Sequence, residues 1–168
     1  HELEVYVKRP RRKKRWKVLP DCLRQSRALR AFCMGHSLLA RRIPTPIPLA
    51  AMERRIGPLL LDSVLITEAH DAEQLDQFLN KWLADPANGD TTLTARQRHR
   101  LSHQILSQLG RLLQRLHDCR YKHRDLKSAN MLIHWKPGRK PKILLVDMDG
   151  LSRVHWLTAR RRFQGLMR

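Results

Sequence analysis

Asp125 stands in the run His123-Arg-Asp-Leu-Lys-Ser-Ala-Asn130, and a second acid, Asp147, follows the apolar stretch Ile143-Leu-Leu-Val146. The first run fits H-R-D-L-x-x-x-N, a loop that sets a carboxylate beside an attacking hydroxyl and an Asn oxygen against a metal ion. Transfer of a phosphoryl group demands positioning and charge neutralisation more than covalent participation by the protein. Asp125 is the candidate to orient and deprotonate the attacking hydroxyl, and Lys127 is close enough in sequence to reach a γ-phosphate. Asn130 and Asp147 offer the hard oxygens that suit Mg²⁺. The chemistry is therefore phosphoryl transfer from ATP, with Mg²⁺ as the companion ion.

Other residues near these motifs carry competing readings. His123 is expected to hold the loop by packing and hydrogen bonding rather than to act as a base. Arg124 is either a partner for an acidic or phosphorylated segment or a donor to local acceptors. Asp149 either adds a metal or water ligand or caps the turn at Gly150. His99 and His103 have the i, i+4 spacing of a zinc pair, but no Glu follows His99 and no third ligand is evident, so two solvent-facing histidines are expected.

These groups need elements to hold them. Leu3 to Lys8 alternates apolar and polar residues around Val5 and Val7, a strand that delivers Lys8 at its end. From Asp21 to Arg42, apolar residues recur at helical spacing until Ile43-Pro-Thr-Pro-Ile-Pro48 ends the helix. Strands are expected near Leu49 to Glu53 and Ser63 to Thr67, joined through Ile56-Gly-Pro58. Ala72 to Leu83 has one apolar helical stripe and is closed by a loop at Asp85-Pro-Ala-Asn-Gly89. Thr94-Ala-Arg-Gln97 fits a capping box, and Leu101, Ile105, Leu109, Leu112, Leu113 and Leu116 give the following helix one apolar face. Met131-Leu-Ile133 and Ile143-Leu-Leu-Val146 then form short strands around Lys136-Pro-Gly-Arg139. A helix delivering a polar loop, then a hairpin delivering an acid, is the context the motif needs.

Lys and Arg outnumber Asp and Glu by 34 to 15 in the 168 residues, a balance that attracts nucleic acid, anionic membrane or phosphorylated substrates alike. The charge is concentrated in Lys8-Arg-Pro-Arg-Arg-Lys-Lys-Arg-Trp-Lys17 and again at Arg160, Arg161 and Arg162, runs that also suit a solvated face. Specific nucleic-acid reading is not expected, since no helix-turn-helix or zinc-finger pattern accompanies the charge. The three cysteines, Cys22, Cys33 and Cys119, form no C-x-x-C pair and suit a reducing compartment. Apolar runs fall far short of the roughly 20 residues that span a bilayer.

At these residues the chain resembles the protein-kinase-like superfamily and, more narrowly, the lipopolysaccharide kinase (Kdo/WaaP) family. His123 to Asn130 is shared with Ser/Thr protein kinases. Asp147-Met-Asp149 is closer to the Asp-Phe-Asp form of the lipopolysaccharide kinases, and Ile43-Pro-Thr-Pro46 is similar to a segment of that family. The resemblance implies an α+β, two-lobed protein-kinase-like fold, expected to be truncated at both ends. A partial N-terminal lobe would span 1–69 and a partial C-terminal lobe 70–168, with ATP between them. It makes Lys8 the strand lysine that contacts the α- and β-phosphates, and Glu68 and Ala69 the hinge whose backbone meets adenine. The first strands and their Gly-rich turn are expected to lie outside the chain. No Asp or Glu between Asp21 and Glu53 is available as the helix acid that should pair with Lys8. The implied acceptor is an anionic lipid-linked sugar of the lipopolysaccharide inner core, with work in the cytoplasm at the inner face of the membrane and peripheral membrane association. A Ser/Thr protein kinase with a protein substrate is the enzyme alternative. A catalytically impaired remnant, acting as a basic binding module, is the non-enzymatic one.

Overall fold

The computed structural model describes residues 3–9, 25–83 and 93–154. The expected loop at 85–89, the basic runs beyond Arg9 and at 160–162, Cys22, and the first turn of the expected helix at 21–24 lie outside the described residues. The chain divides into two compact units. One holds the described residues up to Ala69 together with Asp147–Asp149, and the other holds His70–Val146 and the residues from Gly150 onward.

In the first unit, strands β1 (Val5–Lys8), β2 (Pro48–Ile56) and β3 (Leu59–Glu68) form an antiparallel sheet in the order β1-β3-β2. β2 and β3 are longer than the apolar pattern suggests. Arg54, Arg55 and Asp62 interrupt the alternation, but pairing continues through them to a tight turn at Gly57, whose φ of 55° suits a residue without a Cβ. Ser63, Leu65 and Thr67 of β3 are buried while the residues between them are half-exposed, so one face carries the core.

Helix α1 (Arg27–Leu39) begins at Ser26, whose hydroxyl accepts from the Leu29 amide at 3.1 Å. It is shorter than the sequence pattern. Arg42 takes a left-handed conformation at φ 57°, and the Ile43-Pro44 step turns the chain out of the helix. Ala28, Ala31, Gly35 and Leu38 form its buried face. At Gly35 a Cβ would collide with the ring of Pro48, so glycine permits the close approach of helix and sheet.

The second unit contains helices α2 (Leu75–Leu83) and α3 (Ala95–Asp118), a sheet ordered β4-β6-β7, and the pair β5-β8. β4 (Glu73–Gln74) takes residues that the sequence assigns to a helix start, because Glu73 and Gln74 pair with Ile133 and Leu132 of β6 (Met131–His134). Phe78, Trp82 and Trp135 form an aromatic cluster with ring centroids 5.1–6.0 Å apart. The capping box on α3 is formed: Thr94 Oγ1 accepts from the Gln97 amide at 3.3 Å, and Gln97 Oε1 accepts from the Thr94 amide at 2.8 Å. Leu101, Ile105, Leu112 and Leu116 are buried, each contributing about 1.5–3 kcal/mol of apolar transfer free energy. The helix ends before Arg120, at φ 60°, and β5 (Tyr121–His123) then enters the polar loop. β6 pairs with β7 (Lys142–Leu145), and β5 with β8 (Leu151–Arg153).

Candidate active site

The loop after β5 is fixed by its own residues. His123 is buried, and its Nδ1 accepts from the Asp125 amide at 3.1 Å. Its ring also packs against Gly150, where an added Cβ would lie 3.0 Å from the imidazole and press on it. The Arg124 amide donates to the Gly150 carbonyl at 2.9 Å, tying the loop to the start of β8. Arg124 itself is exposed. His123 thus holds the loop, as its motif position suggests.

Asn130 closes the other side. Its Nδ2 donates to the Asp125 carbonyl at 2.7 Å, and its own amide donates to the Lys127 carbonyl at 2.9 Å. With Nδ2 committed to that carbonyl, Oδ1 is the acceptor end available to a cation. The Asp125 carboxylate is exposed to solvent and lies 2.8 Å from Lys127 Nζ. The hydrogen bond from Lys127, reinforced by its charge and by His123 and Asn130, holds the Asp125 carboxyl below the ordinary carboxylate range. Asp125 is therefore ionised at neutral pH, the form a proton acceptor needs.

The first unit brings together a different group. Lys8, at the end of β1, donates from Nζ to Asp147 Oδ1 at 2.6 Å. Asp147 sits at φ 62°, a left-handed conformation uncommon for a residue with a Cβ. Met148 is buried, with Thr45 Oγ1 3.4 Å from its sulfur. Asp149 lies 3.6 Å from Arg27 Nε and 3.4 Å from Arg30 Nη2, both on the first turn of α1. Its contacts are those of an ion-pair partner for α1, a role that neither expectation for it included.

Helix α1 offers no acid to Lys8. Glu53, on β2, accepts from the Ser26 amide at 2.9 Å and from Arg55 Nε at 2.8 Å. The bond from Arg55 and those from Ser26 lower its pKa from 4.5 to about 2. Sequence reading passed over Glu53, and only its isolation as an acid between two arginine-rich stretches hinted at a partner. At the expected hinge, the Glu68 amide donates to the Ile47 carbonyl at 2.9 Å and the Ala69 amide to the Glu4 carbonyl at 3.0 Å. Both amides are thus engaged within the unit.

Among the described residues no group of three or more His, Cys, Asp and Glu is arranged to hold a metal. His99 and His103 are exposed on α3. Asp147 in the first unit carries a carboxylate and Asn130 in the second an amide oxygen, each a donor of the hard type that Mg²⁺ takes.

Comparison with known proteins agrees with these motifs. One solved structure, described as WaaP in complex with acyl carrier protein, matches with a TM-score of 0.62 at 19% identity, covering 83% of this chain and 55% of that one. The chain thus spans about half the length of that protein, and the likeness is one of fold: a mixed helix and strand, protein-kinase-like architecture. A search of curated protein sequences gives no match. A sequence model of the lipopolysaccharide kinase (Kdo/WaaP) family matches residues 3–168. With that match across nearly its whole length, the chain belongs to the lipopolysaccharide kinase (Kdo/WaaP) family.

Proposed function

We propose that the chain is an ATP-dependent sugar kinase of the lipopolysaccharide type. The observation that carries this reading is the loop around Asp125: an ionised, solvent-facing carboxylate whose backbone is held from both sides by His123 and Asn130. Family membership supports a kinase acting on a sugar.

In this mechanism Asp125 orients the acceptor hydroxyl and takes its proton as the oxygen attacks the γ-phosphorus. The bond from that phosphorus to the β,γ-bridging oxygen breaks, and ADP leaves. Lys127 neutralises charge on the γ-phosphoryl group, and Lys8 contacts the α- and β-phosphates. Asn130 and Asp147 would hold Mg²⁺, which would supply charge neutralisation on the phosphate oxygens. The backbone of Glu68 and Ala69 borders adenine, through carbonyls rather than the committed amides.

The acceptor in this reading is an anionic, lipid-linked sugar presented at the inner face of the cytoplasmic membrane, where a chain of net charge +19 is drawn to the surface. Among the described residues no helix is long and apolar enough to cross a membrane; the association in this reading is peripheral. WaaP has been solved with acyl carrier protein, and an acyl carrier protein is a further partner to test.

A second reading rests on one observation: Lys8 has a metal-loop acid rather than a helix acid as its partner. On that reading the chain is a catalytically impaired binding module. Parallel assays with a lipopolysaccharide core acceptor and a generic protein acceptor decide among these. Transfer to the sugar alone supports the proposal, transfer to protein alone supports a Ser/Thr kinase, and polyanion binding without transfer supports the impaired module.

A further inference from the structure

The second unit contains a cavity of about 340 Å³ with a distinctive lining. One wall is Leu93 together with Arg100 and Leu101 of α3. The other is the β6–β7 turn, contributing Trp135, Arg139 and Lys140. The size falls within the range of roughly 300–1,000 Å³ typical of small-molecule sites. Among the described residues none that lines it is acidic. Among the described residues Arg100, Arg139 and Lys140 have no carboxylate within ion-pair distance.

The walls are fixed before any ligand arrives. Leu101 is 4% exposed, anchoring the helix side in the core. Trp135 is braced by Trp82 at 5.1 Å and Phe78 at 5.7 Å between ring centroids. The turn has Pro137 and then Gly138 at φ 80°, and the Arg139 amide donates to the Lys136 carbonyl at 3.0 Å. That is the pattern of a type II turn, so the segment bearing Arg139 and Lys140 is well defined.

We propose that this cavity binds a phosphate monoester carrying an apolar or ring-shaped body. Three cations with no counter-ion among the described residues call for a multiply charged anion. Guanidinium groups match phosphate oxygens through paired N–H donors, and the indole and leucines supply the surface for the uncharged part. The inference uses no residue of the Asp125 loop, and it stands apart from the proposed phosphotransfer.

Calorimetric titration of the full chain with monomeric dodecyl phosphate tests it, with inorganic phosphate and dodecyl maltoside in parallel. One dodecyl phosphate per chain is expected, with inorganic phosphate weaker and the maltoside not binding. The triple variant Arg100→Ala, Arg139→Ala, Lys140→Ala should weaken binding by about tenfold or more, since it removes all three charge-assisted partners. A charge-matched control, Arg96→Ala, Lys142→Ala, Arg153→Ala, should bind like wild type, and melting curves should show both variants folded. Equal losses in the two triple variants would mean attraction to net charge and would overturn the site. So would inorganic phosphate binding as tightly as the amphiphile. Vesicles containing phosphatidic acid distinguish sources: cavity-dependent binding identifies a lipid headgroup, whereas competition by the soluble ester alone identifies a free metabolite.

Discussion

Lys8 Nζ lies 2.6 Å from Asp147 Oδ1, joining residues 139 positions apart in sequence. Both side chains are substantially exposed, at 43% and 36%, and a pair of that kind stabilises a fold by about 0–1 kcal/mol. Its small structural contribution makes its functional role separable. Lys8→Met should change the melting temperature of the ligand-free protein little, yet remove most of the stabilisation by Mg²⁺-ATP. At about 100 times its dissociation constant a nucleotide stabilises a single-site protein by about 2.7 kcal/mol. Differential scanning fluorimetry reads both quantities, and a Lys8→Met protein that keeps the full nucleotide shift would remove Lys8 from the site.

Asp147→Asn should abolish the magnesium-dependent part of the same shift, because an amide has no charge to offer the ion. Chelating magnesium in the wild-type sample should produce the same loss. A shift that survives both treatments would show that Asp147 does not hold the metal.

Lys127 sets the titration of Asp125. Removing the ammonium in Lys127→Met takes away the hydrogen bond and charge that favour the carboxylate, so the Asp125 pKa should rise toward the ordinary carboxylate range. Carbon-detected NMR titration of the carboxyl follows this directly. An unchanged titration would mean that the two side chains do not interact in solution.

Glu53 links stability to pH. Its folded-state pKa is depressed from 4.5 to about 2, so its contribution is complete above the unfolded value of 4.5 and is lost as pH falls through about 2. Glu53→Gln should lower stability near neutral pH by about 1–3 kcal/mol, since charged hydrogen bonds to Ser26 and Arg55 are lost. The gap between wild type and variant should narrow between those two pH values. Urea melts across that window provide the check, and a constant gap would contradict the account.

Gly35→Ala brings two effects into opposition. Alanine favours a helix interior by about 1 kcal/mol over glycine. Its Cβ would, however, meet the rigid ring of Pro48, and overpacking of this kind costs about 1–3 kcal/mol. The net expectation is destabilisation, measured as a lower urea midpoint. A stabilised variant would show that α1 can move away from β2.

Local signals were the legible ones. His123, Asp125 and Asn130 interact within one short loop, so their spacing in sequence already carries the geometry. The Thr94–Gln97 capping box was equally readable, because both partners lie within one turn. What escaped depends on distant pairing. Arg54, Arg55 and Asp62 look like turn residues until β2 and β3 are laid side by side. Glu73 and Gln74 look helical until β6 takes them as an edge. Arg27, Arg30 and Asp149 are drawn together by the placement of the Met148 turn on the first unit, a placement no local pattern encodes.

The most direct test of the central claim is single-turnover transfer of labelled γ-phosphate to a lipopolysaccharide core acceptor, comparing wild type with Asp125→Asn. The account predicts transfer by wild type and a loss of about 10²-fold or more in the variant, the scale of a general base, with Mg²⁺-ATP binding retained. Equal rates in the two proteins, or binding of nucleotide with no transfer by wild type, would contradict it.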